Sequence, residues 1–164
     1  MTMAGKVLIL MGSGADREVM GEAARVLSGY GIPCTMTVAS AHRSPGRTRQ
    51  IVSQAEGEGY SVIITGAGAA AHLAGVVSAE TLLPVIGVPL ASSPLSGFDS
   101  LLSTVQMPAG VPVATMAVGK AGAQNAGHLA AQILALADPA LRKKVGEHRR
   151  RMSEEVAASA EEGR

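Results

Sequence analysis

Short apolar runs alternate with longer amphipathic segments along this 164-residue chain. The apolar runs predict five β-strands, at residues 7–11, 32–39, 61–65, 85–88 and 113–118. Segments with apolar residues at helical spacing predict helices at residues 16–28, 45–58, 70–80, 96–105 and 121–136. Because a strand that is apolar throughout is buried on both faces, the pattern favours a parallel sheet covered by helices on both sides. The predicted fold is a three-layer α/β/α sandwich with a five-stranded parallel sheet.

The boundaries of the first two helices carry explicit sequence signals. Gly29 and Gly31 predict the end of the first helix, because glycine favours the backbone conformation that terminates helices. Ser44 can cap the free N–H groups of the second helix, and Pro45 at its first position loses no hydrogen bond. His42 and Arg43 are therefore expected immediately before a helix N-terminus.

A segment of different composition follows residue 138. Residues 140–162 are helix-prone, rich in Lys, Arg and Glu, and poor in large apolar side chains. We therefore predict one α/β domain over residues 1–138 and a C-terminal helical arm over residues 139–164 that is not an independent domain.

The amino-acid composition limits the kinds of partner that the chain is expected to bind. The chain has 47% hydrophobic residues, 16% charged residues and a formal net charge of +1, so no strong charge field favours nucleic acid or a membrane surface. No apolar run reaches the ~18 residues that span a bilayer. Residues 1–6 do not resemble a signal peptide, and Cys34, expected in the core, is the one cysteine. We expect a cytoplasmic protein without nucleic-acid or membrane partners.

Small, polar or charged residues follow every predicted strand. In parallel sheets, ligands bind at the carboxyl ends of the strands, where loops and helix N-termini meet. These groups are residues 12–16, 40–44, 66–68 with His72 beyond, 92–93 and 119–120. The sequence therefore predicts a ligand site at this edge of the sheet.

The first of these groups has the parts of a phosphate site. Ser13 lies between two glycines at the start of a helix, and Asp16 could accept hydrogen bonds from ribose hydroxyls. The spacing is neither that of a Walker loop nor that of a dinucleotide fingerprint. A tight turn with Asp16 as a charge at the helix N-terminus explains these residues equally well.

His42 is the candidate for proton transfer, because it follows a buried strand, precedes a helix and lies beside a cation. That cation, Arg43, would contact a phosphate or carboxylate. A solvated loop is also compatible with both residues. His72 falls inside the third predicted helix and is interpreted as pocket lining.

Three further features of the sequence can be explained by structure alone as well as by function. Residues 66–71 carry almost no side-chain bulk, which would admit a flat ring or a small fragment but also suits close helix packing. Lys120 and residues 106–108 are interpreted as loop residues. The four histidines and one cysteine do not have metal-ligand spacing, so we predict no metal site.

Taken together, several segments resemble the N5-carboxyaminoimidazole ribonucleotide mutase family, also called class I PurE. The resemblance runs from residue 7 to residue 136 and rests on motifs that occur in the family's order. They are VLILMGSGAD at 7–16, ASAHRSP at 39–45, GAGAAAHL at 66–73, GVP at 87–89, LSGFDSL at 95–101, VQMP at 105–108 and GKAGA at 119–123.

The resemblance implies a flavodoxin-like homo-octamer of purine biosynthesis that moves CO2 from the N5 carbamate of 5-aminoimidazole ribonucleotide to ring carbon C4. It implies no ATP, biotin, metal or other cofactor. His42 matches the catalytic histidine. The substrate-binding residues that the resemblance implies are Ser13, Asp16, Ser40, Ala41, Arg43, Gly68, Ala69, His72 and Leu73.

Other functions stay open on the sequence. An aminoimidazole ribonucleotide carboxylase that uses free CO2 would share the fold, although Arg43 and the 66–73 loop favour the mutase branch. A non-catalytic nucleotide-binding paralogue is a second alternative, and a structural assembly subunit is a third. The chain departs from the usual family pattern at Ala15, Arg17, Ala69 and Ala74, which leaves room for an altered nucleotide substrate.

Overall fold

The computed structural model describes residues 5–162, which form one five-stranded parallel sheet with helices on both faces. The strands are β1 Lys6–Met11, β2 Cys34–Val38, β3 Tyr60–Gly68, β4 Val85–Leu90 and β5 Ala114–Thr115. The helices are α1 Arg17–Tyr30, α2 Pro45–Ala55, α3 Leu73–Ala79, α4 Phe98–Val105, α5 Lys120–Leu134 and α6 Pro139–Glu162. The strand order β2-β1-β3-β4-β5 is flavodoxin-like. The structure confirms the predicted three-layer sandwich.

The central strands are buried on both faces because their side chains alternate between two cores. Val7 and Ile9 of β1 pack in the core that contains α1 and α5. Leu8 and Leu10 pack in the core that contains α2 and α3. Continuous apolar runs are therefore the expected sequence of these strands. The many alanines of α5 let that helix approach α1 and the sheet closely.

The structure confirms that α2 begins at Pro45, whereas the predicted end of α1 and the predicted cap of α2 need a correction. Gly31 alone ends α1, since it adopts a left-handed conformation with φ 77°, whereas Gly29 lies within the helix. Ser44 occupies the N-cap position of α2 without capping it through its side chain. Its hydroxyl oxygen instead accepts a hydrogen bond from the backbone N–H of Ser40.

The third strand and helix differ most from the predicted bounds. β3 continues to Gly68, beyond the predicted end at residue 65, because the small residues 66–68 still pair with residues 88–90 of β4. α3 consequently begins at Leu73, and His72 lies at its N-cap instead of inside it. The fifth strand is shorter than predicted, with two residues in the ladder.

The arm begins as a packed helix and ends as an exposed one. Leu141 is buried, and the Lys144 ammonium donates to the Tyr30 carbonyl oxygen at 2.9 Å, whereas residues 149–160 are exposed. The division of the chain at residue 138 stays a prediction, and residues 1–4 and 163–164 lie outside the described range. Within that range, no helix combines the length and the apolar character needed to cross a bilayer.

Candidate active site

A cavity of about 280 Å³ opens at the carboxyl ends of β1, β2 and β3. It lies where the strand order reverses around β1, the position at which flavodoxin-like folds bind ligands. The residues that line it are Gly12, Ser13, Ala15, Asp16, Ser40, Ala41, His42, Arg43, Ala67, Gly68, Ala71, His72, Leu73 and Ser92. Every predicted site residue except Ala69 is among them.

The loop after β1 presents polar groups to the cavity. Ser13 starts a short 3₁₀ turn, Gly14–Asp16, and its hydroxyl oxygen accepts a hydrogen bond from the backbone N–H of Ala15 at 3.2 Å. Burial raises the pKa of the Asp16 carboxyl, and the Ser13 backbone and the charge of Arg43 offset part of that rise. The loop therefore combines a hydroxyl, backbone donors and a half-buried carboxyl at one helix start.

The segment between β2 and α2 is held by its own hydrogen bonds. The backbone N–H of Arg43 donates to the Ser40 hydroxyl oxygen at 3.1 Å, and the Ser44 hydroxyl donates to the Ser40 carbonyl oxygen. The Arg43 guanidinium crosses to β1 and donates to the Gly12 carbonyl oxygen at 2.8 Å. These contacts place the Arg43 cation beside the polar groups of the loop after β1.

The two histidines of the cavity contact each other directly. Nε2 of His42 lies 2.7 Å from Nδ1 of His72, and the rings meet edge to face with centroids 4.9 Å apart. One ring must donate and the other accept, so the neutral pair holds one proton between its rings. Sequence reasoning missed this pair because the two residues are 30 positions apart and belong to loops after different strands.

The loop after β3 has an unusual backbone that sequence reasoning also missed. Ala69 and Ala71 have positive φ angles of 51° and 30°, a conformation that alanine rarely adopts. This turn leaves Ala69 exposed and outside the cavity lining, and its predicted role in substrate binding stays a prediction. A β-carbon at Gly68 would overlap the Ser92 hydroxyl, which explains the need for glycine there.

Ser92 is a cavity residue that was not among the predicted site residues. It follows β4, and its place at a strand end was the one signal that could have identified it. Lys120 lies elsewhere, since its ammonium forms an ion pair with Glu18 at 2.8 Å on the protein surface. Over residues 5–162, no three His, Cys, Asp or Glu side chains are grouped as metal ligands.

Comparison with known proteins identifies the family. The sequence matches the AIR carboxylase family over residues 6–155. The chain belongs to this family. The AIR carboxylase family assignment confirms the resemblance drawn from the motifs, which covered most of the same residues.

Curated relatives of this AIR carboxylase family member have closely similar sequences. A Brucella melitensis protein named N5-carboxyaminoimidazole ribonucleotide mutase is 52% identical, with 94% of this chain and 96% of the relative covered. Proteins of the same name are 51% identical in Thermotoga maritima, covering 95% and 90%, and 50% identical in Escherichia coli K12, covering 92% and 89%.

Solved structures carry the same fold. The crystal structure of Treponema denticola PurE superposes with a TM-score of 0.87 at 26% identity and covers 95% of this chain and 96% of its own. A single-substitution variant of Treponema denticola PurE2 superposes with a TM-score of 0.89 at 25% identity and covers 98% of both chains. The flavodoxin-like architecture is thus shared along nearly the whole length.

Proposed function

We propose that this chain is an N5-carboxyaminoimidazole ribonucleotide mutase of purine biosynthesis. The observation that carries the proposal is the hydrogen-bonded pair His42 and His72 in a cavity also lined by Ser13, Asp16 and Arg43. This arrangement combines a proton-transfer group with groups suited to a ribose phosphate. Relatives about 50% identical over nearly the whole chain carry the mutase name, which supports this assignment over the alternatives.

The proposed substrate position follows from the chemistry of the cavity walls. A phosphate accepts a hydrogen bond from the Ser13 hydroxyl at the start of the 3₁₀ turn, and it is attracted by the Arg43 guanidinium. Asp16 accepts hydrogen bonds from the ribose hydroxyls. The aminoimidazole ring then extends toward His42 and the small residues that follow β3.

The reaction requires two proton transfers at neighbouring atoms. In the first step the bond from N5 to its carboxylate breaks, CO2 leaves, and N5 takes a proton. In the second step C4 forms a bond to CO2 and loses its proton. His42 donates the first proton and removes the second, so the enzyme returns to its starting state. His72 is proposed as a positioning residue that holds the His42 ring through their hydrogen bond.

Retention of CO2 requires a closed space beside the ring. Ala67, Gly68 and Ala71 leave room there and bring backbone groups close to the migrating carboxylate. The cavity of a single chain is open to water, so additional walls are needed to keep free CO2 from escaping. We propose that neighbouring subunits of a homo-octamer provide them.

Two observations support association of this kind. Leu95, Phe98, Leu102 and Val105 expose a large fraction of their apolar surface on α4 and the loop before it. In the same region, Oδ1 of Asp99 is buried without a hydrogen-bond partner among the described residues. A donor from a second subunit would satisfy it.

We also place the proposed enzyme in the cytoplasm, where a lone cysteine needs no disulfide partner.

The deciding experiment is an assay without ATP or added metal. Purified protein is given either N5-carboxyaminoimidazole ribonucleotide, or aminoimidazole ribonucleotide with bicarbonate. We expect rapid formation of 4-carboxy-5-aminoimidazole ribonucleotide from the first substrate alone. Efficient use of the second at modest bicarbonate would assign the chain to the carboxylase reaction instead. Inactivity with both substrates would contradict both assignments and favour a non-catalytic paralogue.

A further inference from the structure

A second cavity, of about 410 Å³, lies at the end of α1 that is remote from the candidate active site. Asp16 at the start of α1 borders the first cavity, whereas Tyr30 at its end lines the second. A 14-residue helix is about 21 Å long, so the two cavities are distinct. α1, α5 and α6 build the second one, which we call the α6 cleft.

Three rings are packed together in the α6 cleft. His128 and His148 are stacked with centroids 4.6 Å apart and planes inclined by 21°. The Tyr30 hydroxyl lies 2.9 Å from Nδ1 of His128, and its ring meets both imidazoles edge to face. These contacts leave Nε2 of His128 and both ring nitrogens of His148 without a hydrogen-bond partner among the residues that the structure describes.

The charge around these rings is predominantly positive. Arg151 lines the cleft, and no carboxylate among the described side chains lies within ion-pair distance of it. Lys144 also lines the cleft, and its ammonium donates a hydrogen bond to the Tyr30 carbonyl oxygen. Glu147 is the carboxylate of the lining, and it lies 4.0 Å from the Lys143 ammonium. A solvated helix face would account for the basic side chains but not for a cavity with clustered imidazoles.

The positive charges around His128 and His148 favour a bound anion. Burial lowers the pKa of His128, and the adjacent His148 and Arg149 lower it further. Two stacked rings that gain protons repel each other and the nearby cations, Lys144 and Arg151 included. A bound anion would offset this repulsion and accept hydrogen bonds from the free ring nitrogens.

We propose that the α6 cleft binds a phosphate group, held by Arg151, Lys144 and the imidazole N–H donors of His148 and His128. The phosphate is either inorganic phosphate or the monoester of a small metabolite. This site is independent of the proposed mutase reaction, which uses none of these residues. It also gives a role to the basic stretch of the arm, which the active site does not use.

The distribution of histidines makes the test direct. The chain has four histidines, with His42 and His72 in the first cavity and His128 and His148 in the α6 cleft. Ring-labelled histidine therefore reports both sites separately in NMR spectra, with each signal assigned by single substitution. The parent protein is titrated with inorganic phosphate while chloride keeps the ionic strength constant.

We expect saturable shifts of the His128 and His148 signals and a rise in the pKa of His128 when phosphate is present. Shifts confined to His42 and His72 would overturn the proposal, because phosphate would then bind in the first cavity alone. Shifts that follow ionic strength without saturation would overturn it as well.

Matched variants test whether the cavity itself is the site. A side chain at Gly29 meets open space in the cleft, and one at Gly21, in the same helix, also meets open space but away from the cleft. We expect Gly29→Met to weaken phosphate binding about tenfold and Gly21→Met to leave it unchanged, with the same fold by circular dichroism. Equal binding by both variants would contradict the assignment.

Charge variants and esters complete the test. Arg151→Gln should weaken binding about tenfold, whereas Arg142→Gln, on the same helix but outside the cleft, should not. Ribose 5-phosphate is then compared with inorganic phosphate and with ribose, again through His128 and His148. Tighter binding of the ester identifies a metabolite monoester as the ligand class, and equal binding identifies free phosphate. Binding of ribose without phosphate would overturn the proposed chemistry.

Discussion

At the scale of single residues, the proposed chemistry of the first cavity rests on His42 and its contact with His72. The distance of 2.7 Å between their nitrogens means that the orientation of one ring depends on the other. A ring held in this way would enter each proposed proton transfer without first losing rotational freedom. The two histidines should therefore respond differently to substitution, one through chemistry and the other through orientation.

We predict that His42→Asn lowers kcat at least about 100-fold, since general acid–base catalysis is removed. His72→Phe should lower kcat about tenfold with little change in KM, because the hydrogen bond that holds His42 is lost. His72→Asn, which keeps donor and acceptor groups, should recover part of that activity. Steady-state kinetics on the three variants check this. A rise in KM without a change in kcat for His72→Phe would contradict the positioning role.

Asp16 shows how the same cavity affects stability. Burial raises the pKa of its carboxyl in the folded chain. A raised folded-state pKa favours folding at low pH. This contribution to stability is lost as the pH rises through the pKa of the carboxyl in the folded state. We predict that Asp16→Asn has a higher free energy of unfolding than the parent at pH 7, with the difference disappearing below the unfolded pKa of about 3.9.

Urea denaturation across a pH series at fixed protein concentration measures this difference. Glu18→Gln is the matched control, because the hydrogen bond and charge of Lys120 lower the pKa of Glu18 at the exposed surface. Its effect should be small and opposite in sign. The gain in stability for Asp16→Asn should accompany weaker substrate binding. A less stable Asp16→Asn at pH 7 would contradict the prediction.

At the scale of elements, the loop after β3 depends on close packing against the loop after β4. Gly68 and Ser92 line the same cavity, and a β-carbon at Gly68 would overlap the Ser92 hydroxyl. Ala69 and Ala71 turn the chain through positive φ angles immediately afterwards. The position of His72, which follows this turn, is therefore set by backbone packing between the two loops.

We predict that Gly68→Ala lowers activity by displacing Ser92 or the loop that carries His72, at a cost in stability of about 1–3 kcal/mol. Adding Ser92→Gly to this variant should restore much of the stability, since it removes the overlapping hydroxyl. Gly12→Ala is the control, because the nearest atom to its β-carbon would lie at an ordinary 3.7 Å. Thermal unfolding and the mutase assay report both effects. Equal losses in Gly68→Ala and Gly12→Ala would contradict the packing argument.

At the scale of the whole molecule, the proposed homo-octamer accounts for both the open cavity and the exposed apolar surface of α4. A reaction that passes through free CO2 needs walls that a single chain does not provide. Phe98 is 63% exposed at the start of α4, beside the unsatisfied buried oxygen of Asp99. Burial between subunits would remove the apolar surface from water and supply the missing donor.

We predict that light scattering at micromolar concentration gives the mass of eight 16.6 kDa chains. Phe98→Asp should dissociate the assembly and abolish activity, because it places a charge in the proposed interface. Leu136→Asp, at an exposed apolar position outside α4, should leave both mass and activity unchanged. An active monomer would contradict the link between assembly and catalysis.

Much of the fold could be predicted from local pattern, and the failures concern the ends and caps of elements. Apolar runs marked the five strands because parallel strands are buried on both faces. The boundaries failed where partner segments decide them. Small residues extend β3 by pairing with β4, and Ser44 bonds back to Ser40 instead of capping α2. The β3 ladder depends on a strand far along the chain, whereas the hydrogen bond between Ser44 and Ser40 is local and depends on the conformation of the turn before α2.

By itself, the sequence determined the layered architecture, the edge of the sheet that carries the polar residues, and the family, through motifs at the strand ends. These features follow from residue types and short spacings. Only the tertiary structure decided the contact of His42 with His72, the exclusion of Ala69 from the cavity, and the α6 cleft. Each joins or separates segments far apart in the chain, and only packing of the elements sets such distances.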